Sequence, residues 1–310
     1  VSRPLRIGSR GSKLALWQAE LIQRELRNIG AAQVEIVIIK TAGDRFQKSP
    51  VGDLGLKGVF IKELEDALLS REVDLAVHSL KDVPTEIPDG LAFPAICRRA
   101  DVRDCLVSRS GSKLHELSAG ARLGTSSLRR QSQLRHLRPD LQVLELRGNV
   151  DTRLRKVERG DYDAVVLAKA GLDRLGWSSH ITEVFEPGQM LPAVGQGALG
   201  IECRSDDREV MELLALLDHA ETRAEATAER ALLARLQGGC QVPLGALGQV
   251  RDSVLRLEAC VLSPDGKEYI RDWVEGSPAR AGELGEALAD KLLSRGADRI
   301  LKMVGRKLDG

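Results

Sequence analysis

The sequence predicts an α/β protein, with two successive runs of alternating strands and helices on mostly parallel sheets and then a smaller α+β segment. Three observations carry this expectation. Over the first 200 residues, short β-branched runs alternate with helical stretches. Between Ala121 and Gly176 a strand, turn and helix design recurs three times. From about Ala220 the texture changes to one helix, three short strands and a closing helix. A chain of 310 residues is long enough for two or three domains, each with its own core.

Taken in order, "LRIGSR" reads as a strand and "KLALWQAELIQREL" as a helix, with Leu14, Trp17 and Leu21 as its apolar stripe and Glu25 continuing the spacing. "QVEIVIIKT" is a strand rich in β-branched residues. "FQKSPVGDLGLKG" interrupts the pattern with Pro50, Gly52, Gly55 and Gly58, and reads as a loop. "VFIKELEDALLSRE" is a helix through Ile61, Leu64 and Leu68, and "VDLAVHSL" is a strand. The second run begins after "RRADVRD" with "ARLGTSSLRRQSQLRHL", "DLQVLELRGNVDTRLRKVERG" and "YDAVVLAKAGLDRLG". The two α/β runs are joined near Arg99 to Asp104 and again near Pro187 to Gly195, and a separate small α+β domain begins at about Ala220. The last holds the helix "AETRAEATAERALLARL", the strands "VPLGALGQV", "SVLRLEACVL" and "EYIRDWVE", and the helix "ARAGELGEALADKLLSRG".

A net charge of +1 gives no overall reason to expect a nucleic acid or a membrane surface as partner. No apolar run approaches the ~18 residues of a membrane helix, and the basic start "VSRPLRIGSRGSK" has no apolar segment behind it, so a cytoplasmic protein is expected. The five cysteines are odd in number, with no CxxC, and the histidines are scattered singly. Neither a disulfide framework nor a metal is expected.

"GQGALG", Gly195 to Gly200, matches a dinucleotide fingerprint by letter, but Pro192 precedes it and the extended "LGIECR" follows it, so the motif does not open a helix. The placement of arginines is more informative. Ala121 to Gly160 holds nine arginines and one lysine against four acids. A solvated basic face is the ordinary explanation of such a run. Against it, "GTSSLRR" puts Arg129 and Arg130 in a first helical turn behind a Ser126 or Ser127 cap, where the dipole disfavours cations by ~0.3–1 kcal/mol each. "RGNVDTRLRK" puts Arg153 near a second helix start, and "GSRGSK" puts Arg10 and Lys13 at a third. Free N–H groups, hydroxyls and guanidinium forks together bind oxyanions. Nothing aromatic lies between Phe93 and Tyr162, which disfavours single-strand nucleic acid and favours a small ligand with several carboxylates or phosphates.

In "VDLAVHSLKDVP", Lys81 and Asp82 arrive where a buried strand ends, before Pro84. Asp82 reads either as a turn aspartate or as a carboxylate facing the ligand, placed to move protons or to stabilise a cation. In "RLQGGCQVPLG", Cys240 follows two glycines in a turn. It reads either as a small buried side chain or as an exposed thiol that the backbone lets a ligand approach closely.

These stretches resemble the porphobilinogen deaminase family. The resemblance runs through "RIGSRGSKLALWQA", "KGVFIKELEDALL", "DLAVHSLKDVPTE", "GTSSLRRQSQL", "LRGNVDTRL", "LAKAGLDRLG", "LPAVGQGALGIECR" and "TAERALLARLQGGCQVPLG", in the family's order, and is weakest after Gly245. It implies two domains like those of a type II periplasmic binding protein around an active cleft, plus a small α+β C-terminal domain. The implied enzyme is a monomeric transferase that joins four porphobilinogen units head to tail, releasing ammonia each time, into linear hydroxymethylbilane for tetrapyrrole and haem synthesis.

By motif match, Cys240 would carry a dipyrromethane cofactor through a thioether, and Asp82 would be the catalytic carboxylate. Arg10, Ser12, Lys57, Ser79, Lys81, Thr125, Ser127, Arg129, Arg130, Arg147, Arg153, Arg174 and Gln196 would hold the acetate and propionate groups of cofactor and substrate, and Phe60 would pack against a ring. Lys57 would reach in from the glycine-rich loop. Asp53 stands in that loop where some members of the family carry a lysine, and Asp44 in "AGDR" also matches a family motif. The competing class is a non-enzymatic two-lobed protein that clamps a carboxylate or other anion, which would explain the arginines but not "GGC".

Overall fold

Walking from the amino end, β1 (Leu5–Ser9), α1 (Lys13–Asn28), β2 (Val34–Ile38), α2 (Lys62–Leu69), β3 (Leu75–Ser79) and β4 (Leu91–Ile96) come first. After them the chain forms β5 (Asp104–Ser108), β6 (Arg122–Gly124), α3 (Leu128–Leu137), β7 (Gln142–Leu144), α4 (Val150–Glu158), β8 (Ala164–Ala168), α5 (Lys169–Arg174) and β9 (Glu183–Val184). It continues with β10 (Leu199–Arg204), α6 (Arg208–Ala215), α7 (Ala220–Arg235), β11 (Leu244–Arg251), β12 (Val254–Leu262), β13 (Tyr269–Gly276), α8 (Ala281–Ser294) and α9 (Ala297–Leu308). This is a computed structural model, and it describes residues 3–31, 33–41, 61–236 and 242–308. The chain divides into two compact units, Val1–Ala100 with Ala198–Arg223, and Asp101–Gly197 with Ala224–Gly310.

The first unit holds a five-stranded sheet in the order β2-β1-β3-β10-β4, in which β10 runs antiparallel to both neighbours. The second unit repeats the plan as β7-β6-β8-β5-β9, with β5 antiparallel to both neighbours. In each sheet the reversed strand is the one that follows a crossing of the chain from the other unit. Both sheets are otherwise parallel where strand, helix and strand follow one another, as right-handed crossovers require. Two sheets with one shared order agree with the two like α/β domains that the resemblance implies.

Alternation along the central strands covers both faces of each sheet. In the first unit Leu5, Ile7, Ala19, Ile22 and Leu26 join Leu199 and Ile201 on one face, while Leu64 and Leu68 of α2 cover Ala76 on the other. In the second, Leu106 and Val166 face Leu134 of α3, and Cys105, Val107, Val165 and Leu167 face Leu154, Val157 and Leu172. Each fully buried leucine or isoleucine contributes roughly 1.5–3 kcal/mol. The antiparallel sheet β11-β12-β13 lies in the second unit, and Leu255, Leu257, Ala259 and Val261 of its central strand pack with Leu232 of α7 and Leu288 and Leu292 of α8.

Expectation and structure differ in α1. The helix forms, but its buried residues are Gln18, Ala19, Ile22 and Leu26, and Leu14, Trp17 and Leu21 are only half-buried. The stripe is shifted because Gln18 turns inward to donate from Nε2 to Ser79 Oγ at 2.9 Å. Ile61, Leu64 and Leu68 are buried as expected. The closing helix is followed by a second one, α9, and among the described residues no helix is long and apolar enough to cross a membrane.

Candidate functional site

In the first unit the buried strand β3 ends at Ser79, and the chain makes a single 3₁₀ turn over Leu80–Asp82. Leu80 is buried and donates its N–H to the Ala198 carbonyl at 3.0 Å. Val83 is extended, as a residue before proline must be, so the turn cannot grow into a helix. The turn leaves Asp82 exposed and Lys81 half-buried. Close packing holds it from behind, since a Cβ added at Gly200 would lie 2.9 Å from Phe93 Cδ1 and 3.2 Å from Leu80 Cδ1. In the same unit Ser12 caps α1 by accepting the Ala15 N–H at 3.3 Å, with the half-buried Arg10 two residues before it.

The second unit contains the other two basic helix starts. Both follow neighbouring parallel strands, β6 and β7, so both begin at the carboxyl edge of one sheet. At the end of β6, Gly124 is fixed by close approach, since an added Cβ would lie 2.8 Å from both Leu146 Cδ2 and Tyr162 Cδ1. Thr125 is buried, and its Oγ1 accepts the Ser127 N–H at 3.3 Å. Ser127 caps α3 by accepting the Arg130 N–H at 3.4 Å.

Arg129 and Arg130 are only 4% and 6% exposed, and both close on Asp104, which is 0% exposed. Arg129 Nη1 donates to Asp104 Oδ2 at 2.6 Å, and Arg130 Nη2 and Nε donate to Oδ1 at 2.7 and 3.1 Å. Arg129 also reaches the Leu191 carbonyl at 2.8 Å, and Arg130 the Val166 carbonyl at 3.1 Å. Burial by itself would push the Asp104 carboxyl up, but the charges and hydrogen bonds of the two arginines outweigh it and hold the group well below the usual carboxylate range.

Gln196 joins the same cluster from the turn of the "GQG" sequence, donating from Nε2 to Asp104 Oδ1 at 3.0 Å and to the Val102 carbonyl at 2.7 Å. Gly195 and Gly197 both have positive φ in that turn, and β10 follows directly, so the segment is not a dinucleotide loop. Arg174 donates to the Gly197 carbonyl at 2.7 Å. Arg153 donates from Nε to the Gly148 carbonyl at 2.7 Å, and Arg147 is exposed and paired with Glu145 at 2.6 Å. Lys57, Phe60 and Cys240 lie outside the described residues, as do Asp44 and Asp53.

Of the four buried acids among the described residues, Asp74, Asp104, Glu202 and Glu229, two lie beside the Gln196 turn, and the sequence reading names neither of these two as a site residue. Asp104 opens the apolar run "DCLVS", an acid at the head of a wholly buried strand, which was the available signal. Glu229 of α7 is fully buried and accepts the Gly195 N–H at Oε2 and the Gly248 N–H at Oε1, both at 2.7 Å, tying the Gln196 turn to β11.

Chemically, the second unit presents hydroxyls and helix N–H groups beside an arginine pair whose two positive charges are offset by one carboxylate. Hydroxyls, helix N–H groups and a net positive charge together are the chemistry that binds an oxyanion.

Comparison with known proteins gives two matches to family models. One described as "Porphobilinogen deaminase, dipyromethane cofactor binding domain" matches residues 5–212, and one described as "Porphobilinogen deaminase, C-terminal domain" matches residues 223–294. The chain is 50% identical over 303 residues to the porphobilinogen deaminase of Pelobacter propionicus, covering 97% of each. It is 52% identical over 303 residues to that of Pelotomaculum thermopropionicum, again covering 97% of each. Among solved structures it is similar to the Bordetella pertussis BvgS periplasmic VFT2 domain, at a TM-score of 0.39 and 16% identity over 68% of this chain and 85% of that one. An ancestral arginine-binding protein bound to arginine is similar at a TM-score of 0.38 and 15% identity, over 69% of this chain and 90% of that one.

Proposed function

The chain belongs to the porphobilinogen deaminase family, a transferase that polymerises porphobilinogen into hydroxymethylbilane on a dipyrromethane cofactor, and from that premise we propose how its own residues divide the work. When bound, the cofactor supplies the free pyrrole α-carbon from which the chain extends. The non-enzymatic anion-binding alternative is not favoured at about half identity over nearly the whole chain.

Asp82 is the catalytic carboxylate. The observation that carries this role is its placement, exposed at the end of a buried strand on a turn stopped by Val83 and Pro84. Loss of ammonia from the substrate's aminomethyl group leaves a cationic pyrrole, and the Asp82 carboxylate stabilises that charge and accepts the proton released when the new carbon–carbon bond forms. Being acceptor-only when ionised, it is suited to a pyrrole N–H.

Cys240 would be the anchor, holding the cofactor through a thioether at Sγ. Thr125, Ser127, Arg129, Arg130, Arg147, Arg153, Arg174 and Gln196 hold carboxylates from the second unit. Arg10, Ser12, Ser79 and Lys81 do so from the first, with Lys57 from the loop and Phe60 against a ring. The hydroxyl caps and basic helix starts support this division. Three separate sheets support a division into three domains, taken as 1–99 with 195–217, 104–190, and 218–310, although residues 195–197 group with the second compact unit. The same reading takes the protein as a cytoplasmic monomer without a metal.

The test is to supply porphobilinogen to the purified holoprotein and to its Asp82→Asn variant and to follow ammonia and bilane together. Release of both by the first and neither by the second is expected. Equal turnover by the two would remove Asp82 from the chemistry.

A further inference from the structure

We propose that Asp104 is a positioning residue for the carboxylate-binding arginines, holding Arg129, Arg130 and Gln196 in one arrangement while itself touching no ligand. The inference rests on the reading that those side chains bind ligand carboxylates.

Asp104 is wholly enclosed, so no ligand reaches it. Both of its oxygens are engaged, Oδ2 by Arg129 and Oδ1 by Arg130 and Gln196. Adjacent arginines in the first turn of a helix repel each other and oppose its dipole. Burying both would be strongly unfavourable without a charge between them. Asp104 removes that conflict and also fixes each guanidinium plane, because a carboxylate that takes Nε and Nη2 of one fork leaves that fork a single orientation. One positive charge remains on the cluster as a whole. Arg129 Nε is buried without a hydrogen-bond partner among the described residues, the Leu191 carbonyl accepts from the same Arg129 Nη1 that meets Asp104, and the Val166 carbonyl accepts from Arg130 Nη1. An apolar core would have served burial as well or better, whereas a net positive charge held in one place is what recognition of an anion needs.

The test uses the full-length Asp104→Asn and Asp104→Glu proteins, with cofactor loading read by intact mass, KM and kcat for porphobilinogen, and Tm. Asp104→Glu keeps the charge but displaces the forks, and it keeps the fold testable should the asparagine variant fail to fold. Positioning predicts a KM raised about tenfold or more in the loaded, folded fraction of either variant, with a smaller change in kcat. It also predicts that Asp104→Asn raises KM by a clearly smaller factor in an Arg129→Leu/Arg130→Leu background than in the wild type, the remainder acting through Gln196. A lowered Tm with wild-type KM and loading would make Asp104 structural alone and overturn the inference. Wild-type KM and loading in the single Arg129→Leu and Arg130→Leu proteins would instead overturn the reading on which it rests.

Discussion

Gln18 donates from Nε2 to Ser79 Oγ at 2.9 Å, joining the helix that Ser12 starts to the strand end that leads to Asp82. Because Gln18 is buried, this bond fixes where β3 stops and therefore where the 3₁₀ turn carrying Asp82 begins.

Gln18→Leu keeps the volume and removes the bond. A stability loss of about 1 kcal/mol is expected in urea unfolding, together with a lower turnover from a looser Asp82 turn. Unchanged stability and turnover would show that the bond holds nothing in place.

Asp82→Asn is expected to leave stability within about 0.5 kcal/mol of wild type, since the side chain is exposed, while abolishing elongation. A variant that loses activity and stability together would place Asp82 in the fold instead.

Gly124→Ala drives a methyl group to within 2.8 Å of Leu146 Cδ2 and Tyr162 Cδ1, just ahead of Thr125 and Ser127. A loss of about 1–3 kcal/mol is expected from overpacking, and displacement of the hydroxyls should raise KM as well. Thermal melts and steady-state kinetics on the same preparation check both.

Asp74 is buried against Arg3, Arg6 and Arg204. Burial by itself pushes its carboxyl up, but hydrogen bonds from Arg6 and Arg3 overcome this and hold it down to about 2. Its folded value therefore lies below the unfolded value of ~3.9, so its contribution is complete above that value and is lost as pH falls through the folded one. Asp74→Asn should remove about 2 kcal/mol at neutral pH and progressively less as pH falls from about 4 to about 2. Urea midpoints across that range test it. An equal loss at every pH would mean the carboxylate's charge is not what stabilises the fold.

The parts of the site that were readable are local. "GTSSLRR" announces its own cap, helix start and paired arginines within seven residues, and β6, Ser127 and α3 follow that plan. "LKDVP" likewise contains its own stop signal, Pro84, and the strand end before it. What could not be read depends on distant partners. Asp104 meets Arg129 and Arg130 at separations of 25 and 26 residues and Gln196 at 92, and nothing in "RDC" shows them. The buried face of α1 differs from its apolar stripe for the same reason, because Ser79 lies 61 residues from Gln18 and gives a polar residue an inward partner. The reversed strands β5 and β10 arise from the chain's crossings between units, a topological feature that hydrophobic pattern does not encode. The cofactor came from the ordered blocks of resemblance, and the family match bears it out.

The most direct test of the account is the intact mass of the denatured full-length protein beside its Cys240→Ser variant. A wild-type excess equal to two porphobilinogen units less two ammonia, absent from the variant, is expected. An unmodified wild type that stays unmodified after incubation with porphobilinogen, or the same excess on the serine variant, would contradict it.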